Sequence, residues 1–357
     1  MVYVSGHGFG HATRQLPIAA ALFARCPSAT VHFRTTAPAW LFARDLPPGA
    51  RFTVTPVRCD VGLVQTDGLR FRPADTLAAV HELIAALPDV ERSEKQFLER
   101  SRADVIVSDI APFPLSWAAD LGLPAIAIAN FGWDAIYRSF ADEIPGFASV
   151  ADRFREGYAR ASLCLELPLA LPMEGFPRVR RIPLVVRRPG RDVALLRRSL
   201  RARGRPIVFI SFGGFGVERF PHDVLPSLDR YLFVLPARGV SRGNLRFLDP
   251  RRVDHPAVVA ASDLVLGKPG YGLVSEVMAL GKRMLYTSRG RFIEYPVLAR
   301  GLRSTGQARH IPRPVLLRGH LAPYIERALA LPGRPRRDPD TSGATVAADA
   351  ILEAARD

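Results

Sequence analysis

The chain is 357 residues long, 48% hydrophobic, and carries a formal charge of +15. That composition excludes a disordered chain, and the length passes the roughly 250–300 residues at which a single core stops growing, so two domains are expected. The three cysteines, Cys26, Cys59 and Cys164, lie far apart with no CxxC pair, which argues against a zinc site and a disulfide scaffold, and no run of about 18 apolar residues exists to span a membrane.

Lysine occurs only at Lys95, Lys268 and Lys282, so nearly all of the 49 basic residues are arginine. With 31 prolines and many alanines, this reads as the coding bias of a GC-rich gene, and the arginines are spread along the chain rather than blocked. A charge this far from zero still attracts anions. Peripheral contact with an anionic membrane is the stronger expectation and nucleic acid the weaker one. The chain opens directly on Val2-Tyr3-Val4, with no basic stretch followed by an apolar one, which predicts a cytoplasmic protein.

Val2-Tyr3-Val4 reads as a buried strand leading into Ser5-Gly6-His7-Gly8-Phe9-Gly10-His11-Ala12-Thr13-Arg14, followed by a helix apolar at Leu16, Ile18, Ala19, Leu22 and Phe23, with Pro17 in its first turns. A glycine loop at the end of a first strand is where open α/β sheets bind ligands. The spacing GxGxG, and a next strand Thr30–Arg34 that ends basic, exclude the dinucleotide fingerprint. His7 and His11 read either as loop-packing groups or as a general base at the floor of a site.

Arg51–Thr55 alternates as a third strand, residues 59–74 lack periodicity and read as a long surface loop, and Leu77–Leu87 marks a helix ended near Pro88, with a polar helical stretch from Glu91 to Arg100. Ala103–Asp109 and Leu123–Asn130 are strands whose ends carry Asp109 and then Asn130, Phe131, Trp133 and Asp134. Asp109 reads as a helix N-cap or as the carboxylate that orients a histidine, and Trp133 as a face for a sugar ring or as packing. Prolines from Pro168 to Pro189 mark the change of domain.

Pro206–Ser211 begins the second half as a strand that runs into Phe212-Gly213-Gly214-Phe215-Gly216, whose amides suit a phosphate. Strands at Tyr231–Leu235 and Leu245–Leu248 and a small helix led by Asp254-His255-Pro256 come next. Asp263–Gly281 then supplies a strand, a turn through Gly267, Lys268, Pro269, Gly270 and Gly272, and a helix bearing Glu276 near its start. It reads as an anion cradle or as a plain strand-to-helix turn. A strand at Arg283–Thr287 feeds Arg289, Arg291 and Glu294, which form either a surface ion cluster or contacts to a sugar and a phosphate. One helix over Leu316–Leu331 and another over Thr341–Ala355 close the chain. Both halves repeat strand, glycine loop and helix, which predicts an α/β protein of two Rossmann-like domains facing across a cleft. The expected division is a first domain over 1–180, a second over 181–335, and a last helix over 336–357 for which a crossing back to the first domain is open.

Three motifs, Ser5–Arg14, Lys268–Glu276 and Phe292-Ile293-Glu294-Tyr295-Pro296, resemble those of the GT-B glycosyltransferase superfamily. The resemblance runs in particular to the bacterial enzyme that adds N-acetylglucosamine to the lipid-linked peptidoglycan precursor, and more closely to the glycosyltransferase-like domain ahead of the sugar kinase in arabinokinase-type proteins. It covers most of the chain, which is too short to hold the kinase as well. It implies a metal-independent, inverting transfer from a nucleoside diphosphate sugar, often UDP-linked, with no cofactor, to a small-molecule or lipid-linked acceptor. His11 is then the base, with His7 its rival and Asp109 its support. Gly213, Gly214, Phe215, Lys268, Gly270, Gly272, Glu276, Arg291 and Glu294 hold the donor, with Glu276 on the ribose. Gly8, Gly10, Asn130 and Trp133 hold the acceptor. The expectation of no metal rests on the lack of a DxD-type acidic pair near a strand end. A sugar-nucleotide epimerase using Asp109, Glu143 or Glu294, and a non-catalytic sugar-nucleotide-binding protein, are the competing readings.

Overall fold

The computed structural model describes every residue except Arg191, Gly214, Phe215, Arg334, Arg336 and Asp357. The chain divides into two compact units, the first made of residues 1–64, 71–185 and 340–357 and the second of 65–70 and 186–339.

Unit 1 begins with β1 (Val2–Val4), α1 (Phe9–Arg25), β2 (Thr30–Arg34), α2 (Ala39–Asp45) and β3 (Arg51–Thr55). A short hairpin of β4 (Gln65–Asp67) and β5 (Arg70–Phe71) follows, most of which belongs to unit 2. Then come α3 (Pro73–Ser101), β6 (Ile106–Asp109), α4 (Phe113–Asp120), β7 (Ala125–Ala129), α5 (Trp133–Arg138), α6 (Gly146–Tyr158), β8 (Leu163–Glu166) and β9 (Val179–Arg181). The seven-stranded sheet has the order β3-β2-β1-β6-β7-β8-β9, and its pairings are parallel. Strands β6 and β7 are buried on both faces, which is why Ile106-Val107 and the run Ala125–Ala129 show no polar alternation. The strand order reverses beside β1. The C-terminal ends of β1 and β6 therefore splay apart at a topological switch point, the place where such sheets bind ligands.

Unit 2 holds α7 (Val193–Ser199), β10 (Ile207–Ser211), β11 (Leu232–Leu235), β12 (Leu245–Phe247), α8 (His255–Ala261), β13 (Leu264–Gly267), α9 (Tyr271–Ala279), β14 (Met284–Tyr286), α10 (Glu294–Ser304), β15 (Ala308–His310), α11 (Arg313–Leu317) and α12 (Ala322–Leu329). Its parallel sheet runs β12-β11-β10-β13-β14-β15, with the switch point between β10 and β13. Gly267 closes β13 against β10 so tightly that a Cβ there would lie 2.1 Å from the Ser211 carbonyl oxygen. The last helix, α13 (Gly343–Ala354), returns to unit 1, where Asp349 pairs with Arg25 of α1.

The elements depart from expectation in several places. Helix α1 begins at Phe9, inside the glycine loop, with Gly8 at φ 72 as its cap; Pro17 is therefore well inside the helix rather than in its first turns. Helix α3 runs unbroken through Pro88, because buried residues on either side of it, Val80, Leu83, Leu87 and Leu98, hold both halves of the helix in place despite the missing hydrogen bond. Residues 59–74 are not a loose surface loop: Cys59, Asp60, Leu63, Asp67 and Leu69 are buried, and the stretch carries the β4–β5 hairpin. The expected helix from Leu316 to Leu331 is two helices, since Gly319 turns the chain at φ 76 and Pro323 opens the second. Strands β9 and β15, three residues each, were not predicted.

Candidate functional site

In unit 1 the switch point brings His11, on the first turn of α1, to Asp109 at the end of β6. His11 Nδ1 and Asp109 Oδ1 are 2.7 Å apart. Arg14, three residues on along the same helix face, donates Nε to Asp109 Oδ2 at 2.7 Å and Nη2 to Oδ1 at 2.6 Å, and Gln15 Nε2 donates to Oδ2 at 2.6 Å. Arg14 Nη1 also donates to Asn130 Oδ1 at 2.7 Å. Burial alone would raise the Asp109 pKa, but Arg14 and then His11 outweigh it and hold the carboxyl below its ordinary value. An ionised Asp109 fixes the His11 tautomer: the proton sits on Nδ1, and Nε2 is left as the acceptor. Arg14 Nη2, 3.1 Å from the same Nδ1, is then a like-polarity neighbour and not a donor to it.

A second buried acid was missed by the sequence reading. Asp60 lies at 6% exposure in the stretch expected to be a loop, accepts a 2.9 Å bond from Trp133 Nε1, and has its pKa raised by burial. This also corrects the role expected of Trp133. Its side chain is fully buried, stacked on Tyr137 and edge-on to Phe131 and His7, so it packs the site from behind and offers no face to a sugar. Asn130 is equally buried and serves Arg14, which displaces it from the acceptor-binding role. His7 is half-buried, its ring 5.4 Å from Trp133, and a Cβ on Gly62 would come within 2.3 Å of it. His7 and His11 thus both meet Trp133, but it is His11 that meets Asp109. Gly8 is required by its positive φ, whereas Gly10 is exposed and a Cβ there would meet nothing within 4 Å.

In unit 2 the turns after β10 and β13 face each other across the switch point. Gly213 stands at φ 76, while Gly214 and Phe215 lie outside the described residues. Gly270 caps α9 and Gly272 is its second residue. Lys268 is 9% exposed and, among the described residues, has no hydrogen-bond or ion-pair partner. Burial first, and then the positive charge of Arg289, push its pKa well below the ordinary lysine value. Arg289 is itself buried; it donates to Glu294 Oε2 at 3.1 Å and to the Pro269 carbonyl at 3.4 Å. Arg291 is exposed.

Glu276 is not poised at the mouth of α9. It is the sixth residue of that helix, 2% exposed, and its carboxylate is held by an arginine and a histidine that sequence reasoning missed. Arg187 donates Nη2 to Oε1 at 2.7 Å, and His255 Nδ1 lies 2.6 Å from Oε2. Burial alone would raise the Glu276 pKa, but Arg187 and His255 together bring it down to about 2. His255 Nε2 in turn contacts Ser211 Oγ at 3.0 Å, which ties Glu276 to the end of β10.

No family model matches the chain. It is 31% identical over 361 residues to L-arabinokinase of Arabidopsis thaliana, a match that takes in 99% of this chain and 34% of that protein, so the chain spans about a third of the relative's length. Among solved structures it is similar to the glycosyltransferase of kitacinnamycin (16% identity, 99% of this chain and 94% of that one, TM-score 0.62). A UDP-glucosyltransferase from Polygonum tinctorium, which glucosylates indoxyl, matches at 16% identity over 99% and 93% with a TM-score of 0.58. Phytolacca americana UGT2 complexed with UDP-2fluoro-glucose and pterostilbene matches at 13% over 99% and 94% with a TM-score of 0.60. These likenesses, with the two parallel-sheet units, define the class: the chain has the GT-B fold found in glycosyltransferases. Its particular relation by sequence is the distant one to the arabinokinase.

Proposed function

We propose that the chain is a glycosyltransferase that takes a sugar, with inversion, from a nucleoside diphosphate sugar held by unit 2 to an acceptor hydroxyl deprotonated by His11. The observation that carries this reading is the 2.7 Å contact between His11 Nδ1 and a buried, arginine-stabilised Asp109, which leaves Nε2 as a base at the switch point of unit 1. Lys268 supports the donor half. A nearly buried lysine with no partner among the described residues, beside Gly213 and the N-terminus of α9, suits the diphosphate, whose charge would favour its protonated form, and it would stabilise the charge that builds on the diphosphate as it leaves. Glu276 is the ribose-binding group in this reading, its carboxylate already oriented by Arg187 and His255. The solved relatives complexed with UDP or a UDP-sugar make UDP the first nucleotide to try. The acceptor is a small molecule or a lipid-linked one.

One observation favours a second reading. His11 is 7% exposed, and its partner Asp109 is saturated by Arg14 and Gln15, as a purely structural cluster would be. A sugar-nucleotide-binding protein without turnover would keep unit 2 unchanged and tolerate loss of His11. The epimerase reading loses support at Asp109, which Arg14 holds as an anion and so removes as a proton donor.

The test is calorimetric titration with UDP, GDP, ADP and dTDP and their sugar conjugates, followed by turnover with acceptor libraries. The expected result is micromolar binding of one diphosphate, with His11→Ala retaining that binding and losing at least about 100-fold in turnover. Donor binding with turnover unchanged in His11→Ala would remove the base from the mechanism. No binding of any diphosphate would remove the donor site.

A further inference from the structure

Residues 193–212 and 230–248 of unit 2 contain nine arginines and not one aspartate or glutamate. Two of the nine find acids elsewhere, Arg197 on Asp263 and Arg230 on Glu326. The other seven have no carboxylate partner among the described residues. On unit 1 five exposed arginines, Arg92, Arg138, Arg153, Arg160 and Arg181, each sit on an aspartate or glutamate, and those without such a partner, among them Arg51, Arg102 and Arg178, are not drawn together by one edge strand.

The arginines that look dispersed in sequence are gathered by the fold around β12, the edge strand of the second sheet. On one side, Arg246 of β12 donates Nε to the Leu200 carbonyl at 2.9 Å, which sets it against the turn 201–205. Burial and the like charges of Arg205, Arg201 and Arg203 all push the Arg246 pKa down, so these guanidinium groups share one field. Arg201 and Arg203 are exposed and stand at φ 54 and φ 53, a backbone state that L-residues adopt at a cost. On the other side, the loop 238–243 folds onto the same strand: Phe247 N–H donates to Ser241 Oγ at 3.0 Å, Arg242 bridges to Leu245, and a Cβ on Gly239 would touch the Phe247 ring at 2.8 Å. Two aliphatic side chains stand out on these segments. Val240 is 83% exposed between Arg238 and Arg242, and Leu195 is 58% exposed one helical turn before Arg198.

Like charges crowded without counter-charge are unfavourable in the free protein and favourable against an anionic surface. We propose that this face of unit 2, made by the turn 200–205, β12 and the loop 238–243, docks on an anionic lipid surface. The arginines would meet headgroup phosphates, and Val240 would enter the headgroup–acyl boundary. The exposed apolar groups decide between lipid and nucleic acid. Single strands are gripped by exposed aromatic rings on which bases stack, and every strongly exposed large hydrophobic among the described residues is aliphatic. The proposal does not depend on the transferase reading.

The test is co-sedimentation of the full chain with phosphatidylcholine vesicles, with and without phosphatidylglycerol, at physiological salt. Binding is expected only with the anionic lipid and should fall as salt rises. Each exposed arginine neutralised should weaken partitioning about fivefold, so the triple variant Arg201→Gln, Arg203→Gln, Arg242→Gln should lose about 100-fold while keeping its circular dichroism. Val240→Asp should weaken binding as well. A control triple, Arg92→Gln, Arg153→Gln, Arg160→Gln, changes net charge equally and should leave vesicle binding within a few-fold of the parent. Equal loss in the control would show that net charge alone acts, and equal binding to neutral vesicles would show that the patch is irrelevant. Either overturns the proposal. So does a chain that ignores both vesicles but gel-shifts a single-stranded oligonucleotide through the same three arginines.

Discussion

A carboxylate shut away from water stays charged only if its neighbours supply what water did. Asp109 and Glu276 are both solved this way, each by an arginine and a histidine. Removing one partner of such a pair leaves the other buried without compensation, so Asp109→Asn should cost about 3–5 kcal/mol of stability by urea denaturation. Arg14→Met with Asp109→Leu, which removes both charges together, should cost less than the single change; the opposite ranking would show that the charges are not what holds this corner. For Glu276 the sign follows from its depressed pKa, about 2 against an ordinary 4.5. Its contribution is fully present above about pH 4.5 and is lost as pH falls through about 2, an order of 3 kcal/mol in all. Denaturant melts between pH 2 and 5 should therefore show a steeper acid-side loss in the parent than in Glu276→Gln; parallel curves would mean the carboxylate is not charged as described. At this scale the sequence is read unevenly. His11 and Asp109 are legible because each ends a strand-to-helix turn, and Arg14 could have been found one helical turn after His11. Arg187 and His255 could not, being 89 and 21 residues from Glu276 with no local pattern to link them. Trp133 and Asn130 were misjudged because residue type announces chemistry but not burial.

The elements that carry function are those in which periodicity is interrupted. Helix α1 starts early because glycine supplies the φ 72 that lets the loop wind directly into a helix, and that early start is what puts His11 and Arg14 on one face. The β4–β5 hairpin is harder to see, since strands of three and two residues are too short to alternate. Its turn is nonetheless a strap built into unit 2. Gly68 N–H donates to the Gly216 carbonyl at 2.8 Å, Arg70 pairs with Asp67 and Glu218, and Arg313 donates to the Leu69 carbonyl at 3.3 Å. A Cβ on Gly68 would lie 2.6 Å from the Gly216 carbonyl oxygen and 3.4 Å from Lys268 Nζ, so the strap covers the one group read here as the phosphate-binding cation. Because the nearest obstacle is backbone, Gly68→Ala must lift the strap. The expected result is a stability loss of about 1–3 kcal/mol together with faster acetylation of Lys268 by acetic anhydride, read by peptide mass mapping. A stable variant with Lys268 no more reactive than in the parent would show that the strap does not cover it.

At the scale of the whole molecule, the chain passes between its two units four times, and each passage ties one unit's integrity to a segment from elsewhere in sequence. The two α/β halves were legible because each repeats a buried strand, a glycine turn and a helix. The hairpin lent to unit 2 was not, because a six-residue insertion leaves no compositional mark. Its most consequential residue is Leu69, 2% exposed within the core formed by Val208, Ile210, Phe212, Leu266 and Leu285 of unit 2. Leu69→Ala opens a cavity in that core and should cost unit 2 about 2–5 kcal/mol. The molecule provides its own reporter for where the loss falls, since Trp40, Trp117 and Trp133 all belong to unit 1. Tryptophan fluorescence therefore follows unit 1, while far-ultraviolet circular dichroism follows both units. In the parent the two probes are expected to trace nearly the same urea transition. In Leu69→Ala the dichroism should lose amplitude at lower urea while the tryptophan transition moves less, since only the unit that Leu69 plugs has been weakened. If both probes shift together by the full amount, the two units unfold as one cooperative body, and the strap is the joint that makes them so.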